Sequence, residues 1–397
     1  MTFAWRVLRD EVRRVVCDPG VVLLMVVAVV VYALIYPTPY RAEVVRDVPI
    51  AVVDSDRSDL SRQLIRMVDT HPSTRVYAVV ADAGEAERAI ASGLVSGAML
   101  VPRGLSGNVL RGQAAEVVAV SDATYFLLNK SVVTGIAQSV GTLSAGIEIR
   151  RLEAHGIAAS DARRQRAPIR ADLRPLFNPI ESYTSYVVPA VFVLILHQTL
   201  LMGIGLVQGT ERERAARAAR RIRFGAWRGF VSLGMRTVLY LALYAVHALV
   251  YFNVLLPRLG LPLRASLDTL AWFLLPFILA VTWLGMAVGA LFRTRESAMA
   301  IVFGLSAPLL FSSGVAWPVE AMSAWLREII GVVPAIPGIN GIVRLTQMGA
   351  SRAEVFAEWH RLWILAFVYL PAAWLAEAVR PRASDDAAPG TGPGGVA

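Results

Sequence analysis

Lysine is almost missing from this chain of 397 residues: of 39 lysines and arginines only one, Lys130, is a lysine. A Walker A phosphate loop needs Gly-x-x-x-x-Gly-Lys-Ser/Thr, with the lysine holding the β and γ phosphates. Asn129, not glycine, precedes Lys130, so the chain carries no such loop. Cysteine is equally scarce: with Cys17 alone, neither an intrachain disulfide nor a cysteine metal site can be built. The five histidines (His71, His155, His197, His247, His360) show no HExxH spacing or close pairing, so no histidine metal cluster is expected. Charge is short as well, at 17% of residues, against about a quarter in an ordinary soluble domain. Hydrophobic residues reach 56% and the mean hydropathy is +0.54. The missing charge is concentrated in long uncharged stretches, which is the pattern of membrane spans. The net charge of +9 does not point to nucleic acid, because arginines flanking apolar spans orient a chain in a bilayer; no nucleic-acid partner is expected.

The first apolar run, 19–37, is near the short end of the roughly 17 to 25 residues that cross hydrocarbon. It follows a charged helix-like arm and no small-residue cleavage site follows it, which argues against a cleaved signal peptide. Five further spans fall at about 186–207, 230–256, 267–292, 298–315 and 359–379. Arginines cluster in the arm (Arg6, Arg9, Arg13, Arg14), after the second span (Arg212, Arg214, Arg217, Arg220, Arg221, Arg223, Arg228), after the fourth (Arg293, Arg295) and at the tail (Arg380, Arg382). Six spans put all four groups on one side, which places both termini in the cytoplasm and residues 38–183 outside. The expected fold class is therefore a polytopic α-helical membrane protein of six transmembrane helices, with an external α/β domain between helices 1 and 2. The arm, 1–18, reads as a cytoplasmic amphipathic interface helix, with Phe3, Val7, Leu8, Val15 and Val16 opposite Arg6, Asp10, Arg13 and Arg14.

Within 38–183, VPIAVVD reads as a buried strand running into the turn DSDRSD, after which Leu60, Leu64, Ile65 and Val68 recur at helical spacing. RVYAVV, GAMLVP and AEVVAVSD supply three more strands, GEAERAIASG a short helix, and 123–159 a long one. Strands alternating with helices argue for a small α/β domain. IAVVD resembles a Walker B strand, but Asp54 is better read as a strand-end turn residue. The bundle, 184–379, contains a cytoplasmic loop at 208–229 and, at 317–357, a segment broken by Pro318, Pro334 and Pro337. Its apolar runs are too short to cross, so short helices dipping into the outer leaflet are expected. The tail, 380–397, is rich in Gly, Pro, Ala and Asp and is expected to be disordered.

Polar groups inside spans are costly and mark helix contacts or pathways. His197 and Gln198 lie about midway along the second span, His247 about midway along the third and Asn253 near its outer end. These four are the candidate substrate-pathway residues, with helix–helix hydrogen bonding as the alternative reading. Arg236, near the cytoplasmic end, is expected to snorkel. Gly285-x-x-x-Gly289 hints at a close packing face. The helix-forming run 211–228 offers either lipid phosphate contacts or docking of a cytoplasmic partner. No catalytic or metal residues are expected.

Several segments together resemble a permease subunit of the ABC-2 type transporters, the type 2 ATP-binding-cassette exporters, in their drug-type branch. They are DPG at 18–20, PIAVVDSDRS after the first span, RPLFNP at 174–179 leading into YVVPAVFVLILHQTLLMGIG, and SSGVAWPVEAM with the following RLTQMGAS. The resemblance covers nearly all of residues 5–377. His197 stands where members typically carry Gln. The resemblance implies a type V exporter fold, a coupling helix at 211–224, a second permease copy or paralogue, and separate ATP-binding-cassette ATPase subunits. It often implies a periplasmic adaptor protein as well. ATP and Mg would then be bound by the ATPase partner, with no cofactor in this chain. Glu211, Arg214, Arg217, Arg220 and Arg221 become the candidate ATPase-coupling residues. The location implied is a bacterial inner membrane, the activity export of drug-like or lipid-like amphipathic molecules. A proton-coupled carrier, or a membrane-anchored external binding or sensor protein, is the alternative. A carrier would want buried carboxylates, and the spans contain almost none, with Asp268 and Glu377 only at span ends.

Overall fold

The structure is a computed structural model that describes residues 3–40, 44–166, 174–217, 221–222, 225–292, 294–380 and 382–383. It divides into two compact units, one formed by the chain's two flanks (Met1–Glu43 and Pro175–Ala397) and one by Val44–Arg174.

The chain opens with helix α1 (Phe3–Cys17), whose Val7, Glu11 and Val15, four residues apart, are its buried face. Asp18 then caps α2 (Pro19–Tyr40), its Oδ1 accepting from the N–H groups of Gly20 and Val21 at 3.0 and 3.3 Å. Pro19 at the first helical position costs nothing there, because its missing N–H would have no intrahelical partner. That is the local physics of the DPG sequence. A π-helical turn, Leu23–Ala28, interrupts α2.

The middle unit is a four-stranded sheet of order β2-β1-β3-β4: β1 (Val48–Asp54), β2 (Thr74–Val80), β3 (Gly97–Val101) and β4 (Val118–Ser121). β1 runs parallel to β2 and β3, and β4 is antiparallel to β3. A central strand covered on both faces has to be apolar throughout, and five of the seven residues of β1 are buried. On one face Ile50, Val52 and Met99 pack with Leu64 and Val68 of α3 (Asp59–Asp69). On the other, Ala51, Val53 and Ala98 meet Ala86 of α4 (Ala83–Ala91). Short α5 (Leu105–Leu110) and long α6 (Phe126–Ala154) complete the first face, α6 through Val132, Ile136 and Leu143. Asp54 spends its carboxylate on the turn after β1: Oδ1 accepts from the N–H groups of Asp56 and Arg57, Oδ2 from the Ser61 hydroxyl at 2.8 Å. Helix α7 (Ala159–Arg166) ends the described part of this unit.

The other unit resumes with the turn before α8 (Tyr183–Arg217), where the Asn178 amide exchanges two hydrogen bonds with the Ser182 backbone. α8 is the bundle's central helix and packs against α2, α9 (Gly225–Arg258) and α10 (Leu267–Gly289). Gly285 and Gly289 face α8: a Cβ at Gly285 would come within 3.1 Å of Ile204, and one at Gly289 within 3.0 Å of Gln208. Such absence of side chain is what lets two helix backbones approach.

The fifth predicted span, 298–315, is not one continuous helix. α11 (Arg295–Gly304) and α12 (Ser306–Phe311) meet at Leu305. Pro308 supplies no N–H to the Gly304 carbonyl and its ring crowds that oxygen, so the helix breaks there. α6 is long and apolar enough to be the sixth helix of spanning length, although it contributes to the sheet's core. After α12, α13 (Ala324–Ile330) and α14 (Ala335–Met348) meet at 94° across the Pro334 junction. α15 (Phe356–Val379) packs along α9 and α10. Residues 384–397, most of the predicted tail, lie outside the described residues.

Candidate functional site

Three arginines and three glutamates meet at one end of the helical bundle, where α1, the end of α8, the start of α9 and the end of α15 come together. The arrangement begins with helix periodicity. On α9, Ser232, Arg236 and Tyr240 are four residues apart and so share a face. Arg236 is 1% exposed. Its Nη2 donates to Glu11 of α1 at 2.7 Å and to Glu211 of α8 at 2.9 Å, and its Nη1 donates to Glu377 of α15 at 2.9 Å. Tyr240 donates to Glu11 at 2.5 Å and Ser232 to Glu377 at 2.9 Å. Arg14 bridges Glu11 and Glu211 at 2.9 and 2.7 Å, while Arg380 pairs with Glu377 at 2.6 Å and also with Glu211.

The six formal charges cancel. A single guanidinium presents five donors in a planar fork, which is how Arg236 can hold carboxylates from three helices at once. Burial works against the Arg14 charge, but the Glu211 and Glu11 carboxylates outweigh it and hold its pKa above the usual arginine value. Arg14 therefore stays protonated at any accessible pH. Desolvating so many charges makes such a cluster a poor source of net stability, but losing any one member is expensive. Its structural effect is registry: four chain segments are fixed to one another by charge rather than by apolar packing alone.

Arg236 thus does not snorkel; it is buried among carboxylates. Buried carboxylates exist although the spans themselves contain almost none, because Glu11 comes from outside any span and Glu211 and Glu377 from helix ends. Arg380, assigned to the tail by sequence, belongs to the cluster. Of the five candidate coupling residues, Glu211 lies inside it, whereas Arg214 and Arg217 are exposed. Arg220 lies outside the described residues, and of Arg221 only the backbone is described, paired in a short antiparallel ladder (Arg221–Ile222 with Arg382–Ala383).

The four intramembrane polar residues do not converge. Gln198 borders a groove of 490 Å³ with Leu24, Tyr32, Thr199, Met202, Met299 and Phe303. Asn253 sits in a π-helical turn, Val250–Leu255, and borders a separate groove of 620 Å³ with Leu241, Val246, Leu249, Leu267 and Leu274. Pro257 explains that turn, since it offers no N–H to the Asn253 carbonyl. His247 packs edge-on to Tyr244, ring centres 5.3 Å apart, and the Tyr244 hydroxyl donates to Thr199 at 3.0 Å. Both ring nitrogens of His197 and both amide atoms of Gln198 are buried without a hydrogen-bond partner among the described residues. The buried cluster was missed from sequence, although one signal was visible: an arginine inside an apolar span with a tyrosine four residues on.

An apolar bundle of spanning helices, closed at one end by a buried ion-pair cluster, defines a multi-pass helical membrane protein. Its family follows from sequence: the profile described as ABC-2 family transporter protein matches residues 19–375, so the chain belongs to that family. It is accordingly a permease component of an ATP-binding-cassette transporter, and membership implies partnership with an ATP-binding-cassette ATPase. A comparison with curated proteins finds no significant match.

Proposed function

We propose that this chain is the permease of an exporter that moves amphipathic, drug-like or lipid-like molecules out of the cytoplasm or inner leaflet of a bacterial inner membrane. A separate ATPase subunit powers it, and a second permease copy or a paralogue completes the pathway. In this reading the spans are α2, α8, α9, α10, the α11–α12 pair and α15, arranged as a type V exporter. Both termini are cytoplasmic and 38–183 is external, with an adaptor protein as an optional partner there. The seventeen residues of 295–311 would reach about 25 Å at 1.5 Å per residue, which suits a short span.

The observation that carries the proposal is the buried cluster. It joins the interface helix α1 to the end of α8, where Arg214 and Arg217 stand exposed for a cytoplasmic partner. Glu211, three residues before Arg214, would transmit a push on that helix end to Arg236 of α9 and Glu377 of α15. Movement from inward-open to outward-open then follows as a shift of helices that are already tied together. The pathway on this reading runs past Gln198, with His197, His247 and Asn253 as further polar contacts. A proton-coupled carrier gains three buried carboxylates, but arginine neutralises each one, which removes the site a transported proton would need.

The test is affinity purification of the full-length protein in mild detergent, with mass spectrometry of partners and an ATPase assay of the eluate. A stoichiometric ATP-binding-cassette subunit with vanadate-sensitive hydrolysis is expected. Recovery of the permease alone, with no ATPase, would sink the primary-transport mechanism.

A further inference from the structure

Next to the buried cluster, α1 and the end of α8 enclose a cleft of 570 Å³, within the range of about 300–1,000 Å³ that suits small-molecule sites. Its charged lining is dominated by arginine: Arg6, Arg9, Arg13 and Arg14 from α1 and Arg214 from α8. Three acids also border it, and all three are engaged. Asp10 lies 3.5 Å from Arg9. Asp18 accepts from the start of α2 and from Arg295. Glu211 is shared among Arg14, Arg236 and Arg380. Arg6, Arg13 and Arg214 have no carboxylate partner among the described residues, so three unneutralised guanidiniums face one space. Their mutual repulsion is relieved by an anion, and the planar guanidinium fork matches phosphate oxygens.

A second feature distinguishes a lipid from a free anion. Beside the arginines, α1 exposes an apolar stripe of Trp5, Val12 and Val16, 52%, 39% and 66% accessible. At 100° per residue these three lie within about 40° of one another and next to Arg9 and Arg13. A helix with tryptophan and aliphatics beside arginines suits a bilayer interface, rings and chains in the acyl boundary and guanidiniums on phosphates. A free phosphate would have no use for that stripe.

From this juxtaposition we infer that the cleft between α1 and the end of α8 is a headgroup site for an anionic phospholipid, held at its phosphate by Arg6, Arg13 and Arg214. The inference rests on the proposed placement of this end of the bundle at the cytoplasmic bilayer face. It does not require the ATPase partner, so loss of that partner would leave lipid binding intact.

The test is native mass spectrometry of the full-length permease, titrated with phosphatidylglycerol, phosphatidylcholine or inorganic phosphate. Wild type should retain phosphatidylglycerol about tenfold better than phosphatidylcholine, the scale of a few charge-assisted hydrogen bonds. Arg6→Gln/Arg13→Gln/Arg214→Gln should lose that preference, while Arg258→Gln/Arg327→Gln, which removes two exposed arginines elsewhere, should keep it. An unchanged preference in the triple variant would overturn the inference, and so would displacement of the lipid by inorganic phosphate at equal concentration. Should the triple variant fail to fold, wild type still decides: a photoactivatable phosphatidylglycerol should label peptides from 3–17 and 206–217, and labelling confined to other segments overturns the site.

Discussion

Removing Arg236 should be among the most damaging single changes in this protein, and the damage should be reversible by removing a second charge. Arg236 donates to Glu11, Glu211 and Glu377 at 2.7, 2.9 and 2.9 Å while itself 1% exposed. Arg236→Met fills nearly the same volume, so packing loss is small. It takes the cluster from three arginines and three glutamates to an excess of one negative charge. Breaking a buried pair by deleting one partner costs about 3–5 kcal/mol. At ~2–4 °C per kcal/mol for domains of 150–250 residues, the unfolding midpoint should fall by roughly 10 °C. Arg236→Met/Glu377→Gln restores neutrality and keeps an amide of the same size where the carboxylate was. It should recover about 2 kcal/mol relative to the single variant, a coupling that distant sites never show. Thermal unfolding in mild detergent, followed by tryptophan fluorescence at several salt concentrations, reads both effects. Added salt should change little, because the charges are out of reach of mobile ions. The reasoning fails if Arg236→Met lies within about 0.5 kcal/mol of wild type, the range of ordinary surface substitutions. It fails equally if the two substitutions are simply additive.

Two further outcomes follow from contacts elsewhere. Gly289→Leu drives a side chain toward Gln208, where even a Cβ would stand at 3.0 Å, and overpacking of this kind costs typically about 1–3 kcal/mol. The midpoint of the same melt should drop, with Gly289→Ala dropping less; a wild-type melt for Gly289→Leu would mean the two helices are not in close contact. In the α/β unit, Asp54→Ala removes the acceptor for two N–H groups and one hydroxyl, at ~0.5–1.5 kcal/mol for each hydrogen bond lost. Hydrogen exchange of the full-length protein should speed up at residues 54–61 and leave the bundle helices unchanged, and undisturbed exchange there would argue against the turn role.

Much of the architecture was legible because its cause is local. Asp-Pro-Gly starts α2 through a side-chain cap and a proline that gives up no hydrogen bond. VPIAVV, ahead of the turn residue Asp54, is apolar throughout because a central strand of the sheet has neighbours on both faces. The one span that broke, 298–315, contained its reason in Pro308, but an apolar window weighs the proline lightly while the backbone loses a hydrogen bond outright. The candidate site was only half visible. Glu211 stands out as the start of an arginine-rich run, yet Arg14, Arg236, Glu377 and Arg380 read one by one as an arm residue, a snorkelling arginine, a span end and a tail, and Glu11 carries no signal of its own.

What the residues determine by themselves is therefore solvent and connectivity: which stretches avoid water, where helices and strands start, and that this sequence contains no Walker A phosphate loop. What only the tertiary structure decides is which charges become partners. Glu11 and Arg236 are 225 positions apart, and no periodicity links groups at that distance. Whether an arginine near a span end reaches for water or is enclosed by three carboxylates depends on which helices pack beside it. The cost of burying charge makes that choice all or none.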